Sequence, residues 1–150
     1  MQKSLQVKAA LQIQKSVAEV FEAIVNPEKM KNYFISDSTG PMEEGKVLVW
    51  KFPEFEEEAP VSIEKIEKDR FISFHWDIDD EELLTEIELR PAGNNSTLVR
   101  ITEKSRKNDE KGIQWLQNST EGWANFLACL KAYLEYGINL REGAFDFLRE

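Results

Sequence analysis

Alternating apolar and polar positions characterise most of the first two thirds of the chain. In residues 5–14 every second position is apolar, and most of the positions between them are Gln or Lys. This period of two predicts a half-buried β-strand. Five further segments are typical of strands, and they cover residues 46–52, 59–66, 70–78, 83–90 and 96–104. The short polar turn at 67–69 is typical of a hairpin, so we predict an antiparallel sheet.

Two short helices are predicted after the first strand. The sequence SVAE forms a capping box, in which Ser16 accepts a hydrogen bond from the amide of Glu19 and Glu19 reaches back to Ser16. Asn26 and Pro27 then provide a cap and a residue suited to the first helical position. We expect this second helix to run to about Phe34.

A long helix is predicted near the C-terminal end, after a polar connection at 105–113. Gly137 is a suitable stop for it. The resulting order is strand, two short helices, antiparallel strands and long helix, so we predict one α+β domain over residues 1–150. The apolar face of the long helix should lie on the sheet, and it consists of Leu116, Thr120, Trp123, Leu127, Leu130 and Leu134.

Composition narrows the classes of partner and the cellular location. The chain has 19 Lys and Arg against 28 Asp and Glu, a net charge of −9, which disfavours nucleic acids and anionic lipid surfaces as partners. No run approaches the roughly 18 apolar residues of a membrane span, and the start has no apolar signal-peptide core. A single cysteine is consistent with a reducing compartment. We therefore expect a cytoplasmic protein.

The order of elements and their residues resemble the helix-grip fold of the START and birch-pollen-allergen (SRPBCC) superfamily. The branch named after the activator of heat-shock protein 90 ATPase is the most similar. The resemblance implies a strongly curved antiparallel sheet that wraps around the long C-terminal helix, often with a cavity between them. It also implies a chaperone-related role as one alternative. The segments that carry the resemblance are residues 20–34, 44–52, 70–76, 98–103 and 122–137.

The phases of the strands and the long helix predict which side chains face the expected cavity. Aromatic walls of this kind suit a flat or apolar ligand, although the same rings could instead fill the space completely. Glu86, Glu88, Arg100 and Glu103 lie on adjacent predicted strands and could form cross-strand pairs on the outer face. Glu103 is in phase with Val99 and Ile101, so it could instead look into the cavity mouth as a ligand anchor or general base. The predicted ligand-binding set is Trp50, Phe52, Phe74, Trp76, Thr85, Ile87, Glu103, Trp123, Phe126, Leu127 and Leu130.

Few residues could support catalysis or bind a metal. His75 is the single histidine and points away from the apolar face of its strand, and Cys129 flanks the helical face as an inert thiol. Two acidic clusters, at 53–60 and 77–82, are interpreted as solvated connections between strands. Their alternative role is an acidic rim that contacts a basic partner. We predict no metal and no cofactor.

Three functions remain open at this point. The first is a non-catalytic module that binds a small apolar ligand in the helix-grip cavity. The second is a partner or activator of an ATPase of the heat-shock protein 90 type, as the resemblance implies. The third is an enzyme such as a cyclase or hydrolase, which ranks last because the predicted inner face offers few titratable groups.

Overall fold

The computed structural model describes residues 4–149 with the exception of Asp79. It contains seven strands, three α-helices and one 3₁₀ helix. In chain order these are β1 (Ser4–Ile13), α1 (Val17–Val25), α2 (Pro27–Met30), β2 (Asp37–Ser38), β3 (Val47–Lys51), β4 (Glu58–Glu67), β5 (Phe71–Ile78), β6 (Glu81–Pro91), β7 (Thr97–Lys107), α3 (Glu110–Tyr136) and the 3₁₀ helix (Asp146–Arg149).

The seven strands form one antiparallel sheet in the order β1-β7-β6-β5-β4-β3-β2. Hairpins join β3 through β7 in sequence, and β1 closes the far side of the sheet against β7. The prediction of an α+β fold with a curved antiparallel sheet, two short helices and a long C-terminal helix is confirmed. The sequence did not predict β2, which is only two residues long.

The predicted helix ends are confirmed in their main features. The amide of Glu19 donates to Ser16 Oγ at 3.3 Å, and the amide of Glu28 donates to Asn26 Oδ1 at 3.0 Å. Gly137 ends α3 in the left-handed region with φ of 66°, a conformation that costs glycine little. Helix α2 is shorter than predicted, because it ends at Met30 and continues only as turns.

The polar connection predicted at 105–113 is too long, because regular structure extends into it from both sides. Strand β7 continues to Lys107 beside β1, and α3 begins at Glu110 after the cap Asp109, whose Oδ1 accepts from the amide of Gly112 at 2.8 Å. The strand is hard to recognise here because its inward-facing residue is a charged one. Arg106 is buried, and its Nε lies 3.1 Å from Glu81 Oε2.

The core lies between α3, the inner face of the sheet and the two short helices. The apolar residues that sequence phase placed inward on β6 and β7 are buried as predicted, namely Ile87, Val99 and Ile101. The first turns of α3 add a buried residue that the predicted helix face omitted, Trp115. The described helices include none that is long and apolar enough to cross a membrane.

Tyr33 completes the hydrogen bonding of α1. The carbonyl of Ala23 faces position 27 in the helical ladder, and Pro27 has no N–H to donate. The fully buried Tyr33 hydroxyl donates to that carbonyl instead, at 2.7 Å. Burial raises the pKa of Tyr33 well above its ordinary value of 10.0. The folded protein therefore holds a proton that the unfolded chain releases above about pH 10.

We expect Tyr33→Phe to lower the free energy of unfolding by about 1–2 kcal/mol at neutral pH, because a buried carbonyl loses its donor. The contribution of a raised pKa is complete below the unfolded-state pKa and is lost as pH rises above it. The variant should therefore lose less stability than wild type when urea unfolding is repeated above pH 10. Tyr136→Phe, at an exposed position, is the control. An identical alkaline slope in wild type and Tyr33→Phe would contradict this role.

Candidate functional site

A cavity of about 400 Å³ opens between α3, the sheet and the C-terminal segment. Its volume falls within the range of roughly 300–1,000 Å³ that is typical of small-molecule sites. Six aromatic rings dominate its surface, while polar groups lie on α3 and at the mouth. The lining residues are Phe34, Phe52, Phe55, Glu57, Glu58, Ala59, Trp76, Ile78, Asn118, Ser119, Gly122, Trp123, Arg141, Phe145 and Leu148.

Trp76 is the centre of the aromatic wall. Its ring centroid lies 5.8 Å from that of Trp123 on α3, 5.9 Å from that of Trp50 on β3 and 5.6 Å from that of Phe74 on its own strand. Edge-to-face and tilted contacts of this length are favourable and hold large rings in fixed relative orientations. Trp50, Trp76 and Trp123 therefore form one chain of ring contacts, although Trp50 does not line the cavity.

The side chain of Glu103 connects residues of the aromatic wall through hydrogen bonds. This β7 residue is fully buried, and its cross-strand neighbour on β6 is Thr85. Glu103 Oε2 accepts hydrogen bonds from Thr85 Oγ1 at 2.7 Å, from Trp123 Nε1 at 3.0 Å and from Trp76 Nε1 at 3.1 Å. Its Oε1 accepts from Trp115 Nε1 at 3.2 Å. Three indoles and a hydroxyl therefore converge on one carboxylate.

The position of Glu103 differs from the expectation that it looks into the cavity mouth. The phase was correct, because the side chain points inward like those of Val99 and Ile101. Glu103 does not line the cavity, however, and neither does any other residue of β6 or β7. It is joined to the lining through its hydrogen bonds to Trp76 and Trp123. The four hydrogen-bond donors replace the water molecules that a carboxylate loses when it is buried. The geometry makes Glu103 a positioning residue for the two cavity tryptophans.

The C-terminal strap, residues 138–149, forms the remaining wall. Arg141 Nη2 donates to Glu54 Oε1 at 2.5 Å, with Glu54 almost completely buried. The same guanidinium carbon lies 4.7 Å from the ring centroid of Phe145 and 5.7 Å from that of Phe52. Arg149 Nη2 adds a hydrogen bond of 3.1 Å to the carbonyl of Pro53. These contacts hold the strap against the loop between β3 and β4.

The predicted ligand-binding residues occupy three places. Phe52, Trp76 and Trp123 line the cavity. Thr85 and Glu103 belong to the buried hydrogen-bond cluster behind it. The others lie in the core, where they support the wall or the packing of α3, and their direct contact with a ligand stays a prediction: Trp50, Phe74, Ile87, Phe126, Leu127 and Leu130.

Sequence phase missed the cavity residues outside the regular strands and the helix face. Phe34 follows α2, Phe55 lies in the loop before β4, and Gly122 lies on the exposed side of α3. Arg141 and Phe145 belong to the strap, beyond the predicted end of the last helix. The apolar residues that follow Gly137 were the available signal, since such residues after a helix stop indicate a segment that packs back onto the domain.

The remaining reactive side chains lie away from the cavity lining. Cys129 is buried on α3, and burial raises the pKa of its thiol, which makes it a poor nucleophile. His75 is half-buried on β5. Among the described residues no three His, Cys, Asp or Glu side chains form a group that could hold a metal ion. In the acidic cluster at 77–82, Asp79 lies outside the described residues.

The model of the protein family described as "Activator of Hsp90 ATPase homolog 1-like protein" matches residues 14–135. The chain is a member of this family. The predicted resemblance to that branch of the START-like proteins is thereby confirmed. No protein of curated function matches the chain in sequence.

Solved structures place the chain among other proteins with the fold of the Activator of Hsp90 ATPase homolog 1-like family. The protein SSP2350 from Staphylococcus saprophyticus is 30% identical, with a TM-score of 0.77 over 89% of this chain and 94% of that one. The Aha1 dimer from Colwellia psychrerythraea is 17% identical, with a TM-score of 0.76 over 89% and 98%. CalU16 from Micromonospora echinospora is also 17% identical, with a TM-score of 0.69 over 99% and 92%. The last two similarities concern the fold alone.

Proposed function

We propose that this protein is a non-catalytic binding module for a small, largely apolar ligand. The observation that carries the proposal is the cavity of about 400 Å³ walled by six aromatic rings. Burial of apolar ligand surface contributes about 25 cal/mol per Å², so a two-ring or three-ring ligand would gain several kcal/mol there. No histidine or cysteine belongs to the lining, and its two glutamates, Glu57 and Glu58, are exposed, which favours binding over catalysis.

The hydrogen bonds behind the wall support this proposal. Trp76 and Trp123 are each held by an indole N–H bond to Glu103, so their rings keep their orientation without a ligand. Side chains that are already ordered lose little conformational entropy when a ligand binds. The wall is therefore suited to flat apolar molecules that stack on rigid rings.

Gly122 offers a direct test of ligand binding. It lies within α3 at the cavity, and a Cβ added there would meet no atom within 4 Å. We expect Gly122→Leu to place an isobutyl group in the cavity and to weaken the binding of an apolar probe at least tenfold. Fluorescence titration with the uncharged dye N-phenyl-naphthylamine measures this effect.

Two further variants control for changes in the helix itself. Gly122→Ala should raise the free energy of unfolding by about 0.5–1 kcal/mol through helix propensity, while it leaves most of the cavity open. Ala128→Leu adds the same side chain at an exposed position of α3 and should not change dye binding. If wild type binds no apolar probe, or if Gly122→Leu binds it as tightly as wild type, the proposed site is wrong.

Family membership favours a second candidate role, as a partner of an Hsp90-type ATPase. The acidic surface, with its net charge of −9, would suit a basic patch on such a partner. Addition of the purified protein to the Hsp90-type ATPase of its own organism should then raise the steady-state rate of ATP hydrolysis. An unchanged rate at saturating protein, together with an absence of co-migration in gel filtration, would exclude this role.

A further inference from the structure

We propose that the cavity selects ligands that carry one cationic ammonium group on an apolar, ring-containing body. This inference rests on the proposed function and adds the charge of the ligand to it. The argument uses the ion pairs at the cavity, the faces of its aromatic rings and the net charge of the protein.

The charges at the cavity do not cancel. Arg141 is the cation of the lining, and it is paired with Glu54 at 2.5 Å. Glu58 is paired with Lys51, whose Nζ lies 3.6 Å from Glu58 Oε1. Glu57 also lines the cavity, and within the described part of the chain it has no ion pair. The unpaired charge in the cavity lining is therefore the carboxylate of Glu57.

The aromatic wall itself favours a cation. The face of an aromatic ring carries negative partial charge, so it attracts ammonium and guanidinium groups and repels anions. The wall already holds one such group, because the Arg141 guanidinium lies 4.7 Å from the centroid of Phe145 and 5.7 Å from that of Phe52. An ammonium group in the cavity would meet the same kind of ring surface, and Glu57 adds an unpaired carboxylate to the lining.

The protein as a whole strengthens this preference. Its net charge of −9 attracts cations and repels anions at distances up to about the Debye length, ~8–10 Å at physiological salt. Two polar residues of α3 line the cavity, Asn118 and Ser119. Both are uncharged, so they do not discriminate between cationic and anionic ligands. The positive charge of Arg141 is already compensated by Glu54, so the lining offers an anionic ligand little net positive charge.

Three probes that share one ring system separate charge from apolar contact. Naphthylmethylammonium, naphthylmethanol and naphthoate differ mainly in being cationic, neutral and anionic at neutral pH. Calorimetric titration of wild type should show the cation binding at least tenfold more tightly than the anion, with the alcohol between them. The difference should shrink in 1 M salt, because screening weakens interactions with the exposed Glu57.

Two neighbouring glutamates provide matched variants. Glu57→Gln removes the carboxylate at the cavity, and it should weaken the binding of naphthylmethylammonium about fivefold while it leaves naphthylmethanol unchanged. Glu56→Gln removes one charge from the same exposed loop outside the cavity lining, and it should change neither affinity by more than twofold.

The outcomes distinguish this inference from the proposed function. If naphthylmethanol and naphthoate bind as tightly as the ammonium probe, the apolar site stands and the charge preference is overturned. The same conclusion follows if Glu56→Gln and Glu57→Gln weaken the cation equally, because the effect would then be one of net charge. If none of the three probes binds while the uncharged dye does, the cation inference is also overturned. If the dye fails as well, the proposed function falls with it.

Discussion

Glu103→Gln should lower the free energy of unfolding by about 3–5 kcal/mol, the largest stability effect that we expect from a single isosteric change in this protein. The carboxylate accepts four hydrogen bonds in a fully buried position. Glutamine offers one acceptor oxygen, so in either orientation its amide N–H groups would face at least one indole N–H. The hydrogen bonds that remain would also lose the strength of a charged acceptor. Each buried donor left without an acceptor costs about 1–3 kcal/mol.

Urea unfolding of wild type and Glu103→Gln measures this loss. Glu86→Gln is the matched control, since that residue lies on the neighbouring strand in a more exposed pair with Lys104, at 3.0 Å. A partly exposed pair of this kind contributes at most about 1 kcal/mol. Nitrogen-edited NMR of the indole N–H groups adds a specific readout, because the signals of Trp76, Trp115 and Trp123 should move together. A loss below 1 kcal/mol in Glu103→Gln would contradict the role assigned to this cluster.

Arg141→Met should weaken the binding of an apolar ligand at least tenfold with little change in the midpoint of urea unfolding. Removal of one partner of a buried ion pair costs about 3–5 kcal/mol if the other stays buried. Glu54 can avoid that cost, because release of the C-terminal strap returns it to water. Phe145 and Leu148 would leave the cavity with the strap. Each contributes about 1.5–3 kcal/mol when fully covered, and a factor of ten corresponds to about 1.4 kcal/mol.

Limited proteolysis reports release of the strap directly. Arg141→Met should be cleaved between residues 138 and 149 much faster than wild type, while the rest of the chain stays intact. Arg149→Met is the control, because that side chain is largely exposed and contributes one hydrogen bond to Pro53. Equal cleavage of wild type and Arg141→Met would show that the strap does not depend on the buried pair.

The fold was predictable because its elements carry strong local signals. Alternation along β5, β6 and β7 placed residues such as Phe74, Ile87 and Val99 on the correct face. The capping box at Ser16 and the stop at Gly137 marked helix ends correctly. These signals depend on neighbours in sequence. They were weakest where a charged residue is buried, as at Arg106, whose partner Glu81 is distant in the chain.

The candidate site was predictable only in part, because it depends on how far along each element a residue lies. Phase placed Trp76 and Trp123 on inward faces, and both reach the cavity. The same reasoning placed Glu103 inward, but it could not show that three indoles would converge on it. The periodicity of the sequence could not predict the strap, because the strap has little regular structure. It is held by the ion pair of Arg141 and Glu54, which are far apart in the chain.

The shared acceptor at Glu103 also constrains how this sequence can change over generations. Loss of the carboxylate alone would leave three indole N–H donors without an acceptor. Loss of the indoles alone would leave a buried carboxylate without its donors. Single substitutions at these positions therefore lead through weakened intermediates, and lasting change requires several replacements together. In related sequences that align without gaps here, we expect an acidic residue at position 103 wherever tryptophan occupies 76, 115 and 123. Where position 103 is apolar, phenylalanine or leucine should replace those indoles.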